Sequence, residues 1–353
     1  MQVHTRVPAP AIAEREASWW ARSIRPATIA LLLRAGLGLV MVSGGLSKLS
    51  QLLDPARRGA ILEMYWGPLG YVNTFFDQYL FEGPLGGVLT PWLFLTSLSA
   101  FEFVAGALLI AGVLVRPLAL VWGLLFWSFV AALPVATAAG VDPVAATHHT
   151  PALLVLIRDI GLSGLFFTLF IIGSGSYSVD ERWIGPAATR RTLNWDALGL
   201  LLRLSVALPL LVGGAFHGYG HIQTFGMPAL LILIVALALI LNVGVRAAGV
   251  ATVLIMGWFI ISNFDLGRSL VANMNAVKRE YAFFAAGIVL AYCGGGRLFN
   301  VLAGRSGWAR LLRPGSASAD HSAPMNDNGS HAGQSIDRAP ADVVSTPPPP
   351  MHP

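Results

Sequence analysis

The sequence predicts an all-α integral membrane protein with eight transmembrane helices arranged as two parallel four-helix repeats. Three observations lead to this fold. First, 55% of the 353 residues are hydrophobic, only 12% are charged and the mean hydropathy is +0.65, a balance outside the range of ordinary soluble proteins. Second, eight apolar runs are long enough to cross a hydrocarbon core of about 30 Å. Third, one pattern of charges and glycines occurs in both halves of the chain.

The apolar runs divide equally between the two halves. They occupy residues 27–49, 91–114, 117–139, 150–173, 196–217, 226–244, 246–263 and 271–295. The second and third runs, and the sixth and seventh, are separated only by short breaks, so each of these pairs predicts a helical hairpin. Because four crossings return the chain to its starting side, the repeats, residues 27–185 and 186–300, run parallel.

Residues 1–26 and 301–353 lie outside the predicted spans. We expect the first segment to be a cytoplasmic interfacial N-terminus, anchored by Trp19 and Trp20, and the second to be a disordered cytoplasmic tail. Alternate loops place fourteen Lys and Arg residues on one side and three or four on the other. The positive-inside rule therefore predicts a multi-pass protein of a bacterial or archaeal cytoplasmic membrane, with both termini in the cytoplasm. The net charge of +5 then reflects topology and lipid contact, not nucleic-acid binding.

The first span carries Arg34 and, fourteen residues later, Lys48. In a helix this separation is almost four turns, so both side chains lie near one face, about 21 Å apart. The fifth span repeats the arrangement with Arg203 and His217, and in both spans a Gly-Gly pair precedes the second residue. Because a charge inside an apolar span is rare and costly, its recurrence at the same offset predicts an internal duplication.

The later spans of the two halves also correspond. Each third span begins with a basic residue, and each fourth span carries an arginine next to a carboxylate. The basic residues are Arg116 and Arg246, and the charged pairs are Arg158-Asp159 and Arg279-Glu280. The position that corresponds to Glu102 of the first half is Ile232, so the second-half charges, which include Lys278, sum to a positive value. The second half is therefore either an anion site or a decayed copy that is retained for packing.

Residues 50–90, between the first two spans, are rich in aromatic side chains and are interrupted twice by Gly-Pro. Such a segment is too apolar for a solvated loop and too broken to cross a membrane. We interpret it as interfacial helices over the outer mouth of the bundle. A structural cap without a ligand is the alternative interpretation.

Charged side chains from three spans of the first half are predicted to meet near mid-membrane. The helical rise places Arg34, Glu102 and Arg158 within a band of about 8 Å, and with Asp159 the formal charges cancel. One interpretation is a structural salt-bridge network. The other is a polar pocket that opens outward, with three residues at its rim: Lys48, His148 and His149.

No motif typical of a metal, haem or nucleotide site is present. His217 and His221 are one helical turn apart, a spacing that can bind one metal ion, but interfacial hydrogen bonding is the favoured interpretation. Cys293 is the only cysteine, which excludes an intrachain disulfide and a cysteine-bound iron–sulfur cluster. We therefore predict no metal and no haem.

Several short motifs together resemble the DoxX/DoxD membrane family. They are Arg34, residues 44–48 (GGLSK), Phe101-Glu102 leading through Gly106 and Gly112 to Arg116, and residues 158–162 (RDIGL) followed by residues 173–177 (GSGSY). The resemblance covers residues 27–185. Residues 186–300 are similar in layout but lack the glutamate and carry His217 in place of the lysine.

The resemblance implies a function, because DoxD is the hydrophobic subunit of thiosulfate:quinone oxidoreductase. We hypothesise a membrane subunit that transfers electrons from a sulfur oxyanion on the outer side to membrane quinone. The oxyanion would be bound by Lys48, Arg158, Arg34 and His149, with Arg203, His217, Arg279 and Glu280 as the second-repeat equivalents. Glu102 and Asp159 would be the catalytic groups that handle protons at the quinol. Quinone and the lipid bilayer are the expected partners, and we expect an oligomer or a complex with a soluble or single-span subunit.

Two other functions are compatible with the sequence. Other DoxX relatives anchor soluble redox proteins, so the chain could be a non-catalytic scaffold that binds such an enzyme through its tail and linker. A small-molecule transporter is compatible with parallel repeats around a charge network. Against the transporter, no clearly broken pair of helices is evident in the sequence.

Overall fold

The computed structural model describes residues 26–67, 72, 77–84, 86–132, 151–185, 193–217 and 224–300, and within residues 130–132 and 151–156 the backbone alone. These residues form helices and contain no strand. The helices are α1 (Pro26–Leu52), α2 (Pro55–Trp66), α3 (Pro91–Ala111), α4 (Val115–Ala132), α5 (Pro151–Ile172), α6 (Val179–Ile184), α7 (Trp195–Ala215), α8 (Ala229–Ile240), α9 (Val245–Ser262), α10 (Leu270–Ala276) and α11 (Glu280–Cys293), with a π-helical turn, Gln78–Glu82, before α3. The tail and, except for Pro26, the predicted interfacial N-terminus lie outside the described residues.

Apolar helices make this chain a multi-pass membrane protein. Among the described residues, α1, α3, α7 and α9 are long and apolar enough to cross a membrane, whereas α8, α11 and the described apolar part of α4 are apolar but shorter. Each of the eight predicted runs overlaps a helix, and the eighth overlaps two. The membrane class is therefore confirmed, and within the residues whose side chains the structure describes, four of the eight predicted spans meet the criteria of length and composition.

The eighth predicted run is not one helix. The structure divides it into α10 and α11, with residues 277–279 between them. Lys278, Arg279 and Glu280 are consecutive, and in a continuous helix their side chains would point about 100° apart, so that one charge would face lipid. The break lets the chain direct these charges toward the other helices of the bundle.

Helix packing follows the same order in both halves. The first helix of each half packs on the second, α1 on α3 and α7 on α8, and the third packs on the fourth, α4 on α5 and α9 on α11. The halves are joined because α1 also packs on α11 and α7 on α5. The first helix of each half therefore contacts the last helix of the other.

The turns after α3 and α8 have matching backbone conformations. Each contains two residues with positive φ, four and two positions before the arginine in the first turn of the next helix. In the first turn these are Gly112 (+79°) and Leu114 (+51°), and in the second they are Asn242 (+58°) and Gly244 (+59°). The left-handed conformation is unfavourable for leucine, so its use here indicates a turn that the surrounding packing imposes.

Gly36 lies where α1 contacts α11. A Cβ atom at this position would lie 2.7 Å from the Ala285 Cβ and 2.9 Å from the Tyr281 carbonyl oxygen. The absence of a side chain therefore allows the two backbones to approach closely, as is common between membrane helices.

Replacing Gly36 with leucine should separate α1 from α11. Overpacking of this kind costs about 1–3 kcal/mol, so we expect Gly36→Leu to lower the melting temperature of the detergent-solubilised protein by several degrees. Gly59→Leu is the matched control, because a Cβ at Gly59 of α2 meets no atom within 4 Å. Equal melting temperatures for the two variants would contradict close packing at Gly36.

Candidate functional site

Two reciprocal ion pairs link α5 to the start of α11. Arg158 Nη1 lies 3.1 Å from Glu280 Oε1, and Arg279 Nε lies 2.9 Å from Asp159 Oδ1. The arginine of each half thus forms an ion pair with the carboxylate of the other half. Both carboxylates are buried, with side-chain exposures of 6% for Asp159 and 1% for Glu280. The predicted network therefore contains Arg158 and Asp159, but it is completed by the second half.

A third ion pair joins α1 to α3. The Lys48 ammonium contacts the Glu102 carboxylate, and the position of this carboxylate depends on Gly44. A Cβ at Gly44 would collide with Glu102 Oε1 and would lie 3.3 Å from the Lys278 Nζ atom. Gly44 therefore lets Glu102 pack against the α1 backbone and brings Lys278 to the same place.

Lys278 connects the three ion pairs. Its ammonium donates a hydrogen bond of 2.9 Å to Asn275 Oδ1, and the charges of Arg279, Lys48, Glu102 and Asp159 all act on it. We call the seven charged residues around it the charge cluster: Lys48, Glu102, Arg158, Asp159, Lys278, Arg279 and Glu280. This set holds four cations and three carboxylates, so its formal charge is +1.

Arg34 does not join the charge cluster, and the prediction that it does is wrong. Its Nη2 donates a 2.9 Å hydrogen bond to the Tyr177 carbonyl oxygen, and a Cβ at Gly112 would collide with its Nη1. Arg34 therefore lies beside the C-terminal end of α3. About 21 Å of helix separates Arg34 from Lys48, which pairs with Glu102. The prediction counts depth from the ends of the apolar runs, and this count places Arg34 near the level of Glu102.

Arg203 has the corresponding position in the second half and is likewise absent from the charge cluster. Its Nη1 donates 2.9 Å hydrogen bonds to the carbonyl oxygens of Leu239 and Ile240, the last residues of α8, and its Nη2 donates to the Leu298 carbonyl oxygen. Tyr177 and Leu298 are each the fifth residue after the fourth helix of their half. Both arginines therefore donate to backbone carbonyl oxygens, and those of Leu239 and Ile240 are groups that a helix end leaves without partners.

A DoxX domain is found at residues 29–137. The DoxX match covers α1 from residue 29 and all of α2, α3 and α4, and with them Lys48 and Glu102 of the charge cluster. Arg158, Asp159 and the second half lie beyond the DoxX domain. No curated protein and no solved structure matches the chain.

Within the DoxX domain, aromatic side chains cover the end of α1 that carries Lys48. Trp66 of α2 has ring contacts with Phe81 and Phe94, at centroid distances of 5.7 and 6.5 Å, and Tyr65 and Trp66 pack against the buried cluster that contains Leu52 at the end of α1. We call Trp66, Phe81 and Phe94 the aromatic cover. Its location on the outer side of the membrane stays a prediction.

The histidines do not complete a site among the described residues. His217, predicted as the counterpart of Lys48, is exposed, and its Nδ1 lies 3.2 Å from the Gly214 carbonyl oxygen. His148, His149 and His221 lie outside the described residues. The part of the chain that the structure describes contains no group of three His, Cys, Asp or Glu residues that could hold a metal ion.

Lys278 is the residue whose position the sequence did not predict. The sequence associates Lys278 with the charges of the second half, but its ammonium lies beside Gly44 and Glu102 of the first half. The sequence does contain a signal that Lys278 has partners. Three consecutive charges inside an apolar run are energetically costly unless counter-charges lie nearby. Sequence spacing within one half could not reveal partners that come from the other half.

Removing one member of a reciprocal pair should destabilise the protein more than removing both. Glu280→Leu leaves the Arg158 guanidinium partly buried without its counter-charge, so we expect a loss of about 3 kcal/mol in the free energy of unfolding. In the double variant Arg158→Met/Glu280→Leu, no charge is left unpaired and part of this loss should be recovered. Chemical unfolding in mixed micelles measures both values.

Arg268→Met is the control for this experiment. Arg268 pairs with Asp265 at 3.3 Å, and both side chains are more than half exposed, so its removal should change the free energy of unfolding by less than about 1 kcal/mol. If the double variant loses as much as the sum of its two single variants, the reciprocal pair does not couple the halves.

Proposed function

We propose that the chain consists of two tandem DoxX-like repeats and serves as the membrane subunit of a quinone-linked sulfur-compound oxidoreductase. The observation that carries the function is the pairing within the charge cluster: its three carboxylates pair with Lys48, Arg158 and Arg279, and the fourth basic residue, Lys278, donates to the Asn275 amide oxygen. A buried charge without a counter-charge is costly. A bound anion would remove this cost and would be attracted to the site from solution.

The tandem repeat is supported by equivalent contacts in the two halves. The helix order, the positive-φ turns and the arginine contacts after the fourth helices all recur. The exchange of partners between Arg158-Asp159 and Arg279-Glu280 has the form of a two-fold contact, in which each side supplies the same groups. The two copies differ at Glu102 and Lys48, where the second has Ile232 and His217.

In the proposed reaction, Lys278 is the principal contact of the sulfur oxyanion. Lys48 and Arg158 already contact carboxylates, so they contribute electrostatic attraction, while Lys278 makes the direct contact with the anion. Oxidation of two thiosulfate ions to one tetrathionate ion joins two sulfur atoms and releases two electrons. A quinone accepts both electrons together with two protons and becomes the quinol. Glu102 and Asp159 are carboxylates whose charges act on Lys278, and they are suited to transferring those protons.

A small-anion transporter is the second candidate, and the break at residues 277–279 favours it. Transporters bind substrate where a membrane helix is interrupted, and the N-terminus of the second helical segment favours an anion there. The sequence alone indicated no such interruption.

Lys278→Met tests the proposed role of the excess charge. In native membranes, which retain any partner subunit, we expect the full-length protein to support thiosulfate-dependent quinone reduction and the variant to lose at least about 90% of it, since loss of one charged contact costs about 1.4 kcal/mol or more. Arg268→Met removes an exposed cation instead and should retain the activity.

Two results would overturn the oxidoreductase assignment. One is unchanged turnover in Lys278→Met, with the variant present at normal abundance and with a normal melting temperature. The other is the absence of thiosulfate-dependent quinone reduction together with anion flux into liposomes that contain no quinone. The second result would establish the transporter instead.

A further inference from the structure

Helix α10 carries two asparagines whose side chains have different contacts. Asn273 is buried, accepts a hydrogen bond of 3.0 Å from the Asp265 backbone N–H and donates to the carbonyl oxygens of Asp265 and Arg268. These contacts hold the loop before α10, so Asn273 has a structural role. The Asn275 side chain makes no contact of this kind. Its Oδ1 accepts the 2.9 Å hydrogen bond from the Lys278 ammonium.

The contact with Lys278 determines the orientation of the Asn275 amide. A lysine ammonium has three donors and no acceptor, so the amide oxygen must face it, and the amide NH₂ group is left to donate elsewhere. Among the described residues this NH₂ group has no hydrogen-bond partner, and the ammonium has none besides the Asn275 oxygen. The two side chains therefore present several donors that have no acceptor.

These donors are close enough to share one ligand. The oxygen and nitrogen atoms of an amide are about 2.2 Å apart, so Lys278 Nζ and Asn275 Nδ2 lie within about 5 Å of each other. Both side chains are partly exposed, so a ligand can reach them. A single anion with several oxygen atoms can therefore accept hydrogen bonds from both groups.

The donor pair is present in one repeat and absent from the other. Counted from the arginine next to a carboxylate in each half, Lys278 corresponds to Ile157 and Asn275 corresponds to Leu154. The first half thus has apolar residues at both positions. The ion pairs between the two halves include neither Lys278 nor Asn275, so the pairing of the halves does not account for the two polar residues.

We propose that Asn275 and Lys278 together bind one oxyanion, with the amide N–H and the ammonium donating hydrogen bonds to its oxygen atoms. This inference rests on the proposed function, which assigns a sulfur oxyanion to Lys278. It adds Asn275 as a second contact that determines specificity. A halide ion is held mainly by the ammonium charge, whereas an oxyanion also forms a directional, charge-assisted hydrogen bond with the amide. The site should therefore prefer oxyanions to halides.

Binding of radiolabelled thiosulfate to membranes that contain the full-length protein tests this inference. For Asn275→Ala we expect the thiosulfate affinity to fall about tenfold, because a hydrogen bond to a charged group contributes at least about 1.4 kcal/mol. The iodide affinity, measured by competition, should fall less than about threefold, since iodide loses only a weak contact. Asn263→Ala is the matched control, because the Asn263 amide donates to the Phe259 carbonyl oxygen of its own helix, and both affinities should stay unchanged.

Asn275→Asp is the second variant. Aspartate keeps the shape of the side chain and an acceptor for the Lys278 ammonium, but it has no N–H donor and carries a negative charge. We expect a normal melting temperature and a thiosulfate affinity lowered by at least about a hundredfold, because juxtaposed like charges cost several kcal/mol.

The outcomes distinguish a direct contact from a positioning role. Equal losses of thiosulfate and iodide affinity in Asn275→Ala would mean that the amide only positions Lys278, which overturns the inference. Unchanged thiosulfate affinity in either Asn275 variant, or no saturable binding by the unaltered protein, also overturns it.

The proposed function fails separately, because binding requires no turnover. A selective loss of thiosulfate affinity in Asn275→Ala, without any thiosulfate-dependent quinone reduction by the unaltered protein, supports the inference and refutes only the oxidoreductase assignment. Quinone reduction by the unaltered protein, together with unchanged affinities in Asn275→Ala, refutes only the inference.

Discussion

The exchange of ion-pair partners between the two halves is the interaction on which the rest of the structure depends. A charge placed among apolar helices needs a close counter-charge, because little water is available to solvate it. Arg158 forms an ion pair with Glu280, and Arg279 forms one with Asp159. Each fourth helix is thereby held beside the other half, which places α11 against α1 and α5 against α7.

The charge cluster follows from this arrangement. Helix α11 starts at Glu280, at the level of the ion pairs, and residues 277–279 before it are not helical. Lys278 lies in this break and is placed beside Glu102. The cation that distinguishes the site is thus supplied by the second half, while Gly44 and Glu102 beside it belong to the DoxX domain. The small residue Gly44 is needed as much as the charges, since a side chain there would displace the Glu102 carboxylate.

The sequence predicted the membrane class and a helix in each apolar run, and it identified charged residues that form the ion pairs, but not their partners. Periodicity determines the face of a helix on which Arg158 lies, whereas the helix that faces it depends on the fold of the whole chain. For the same reason Arg34 was assigned to the charge cluster: an intramembrane arginine is a sign of function in general, but here it satisfies a backbone carbonyl. Composition also could not locate the end of α10, because residues 271–295 are apolar on both sides of the break.

The crossed pairing of the fourth helices also has a consequence for biosynthesis. Arg158 and Asp159 leave the ribosome 121 residues before Arg279 and Glu280. During that interval α5 has two ionic groups and no polar neighbour from α11. The first half therefore cannot complete these ion pairs until α11 has been synthesised and has entered the bilayer.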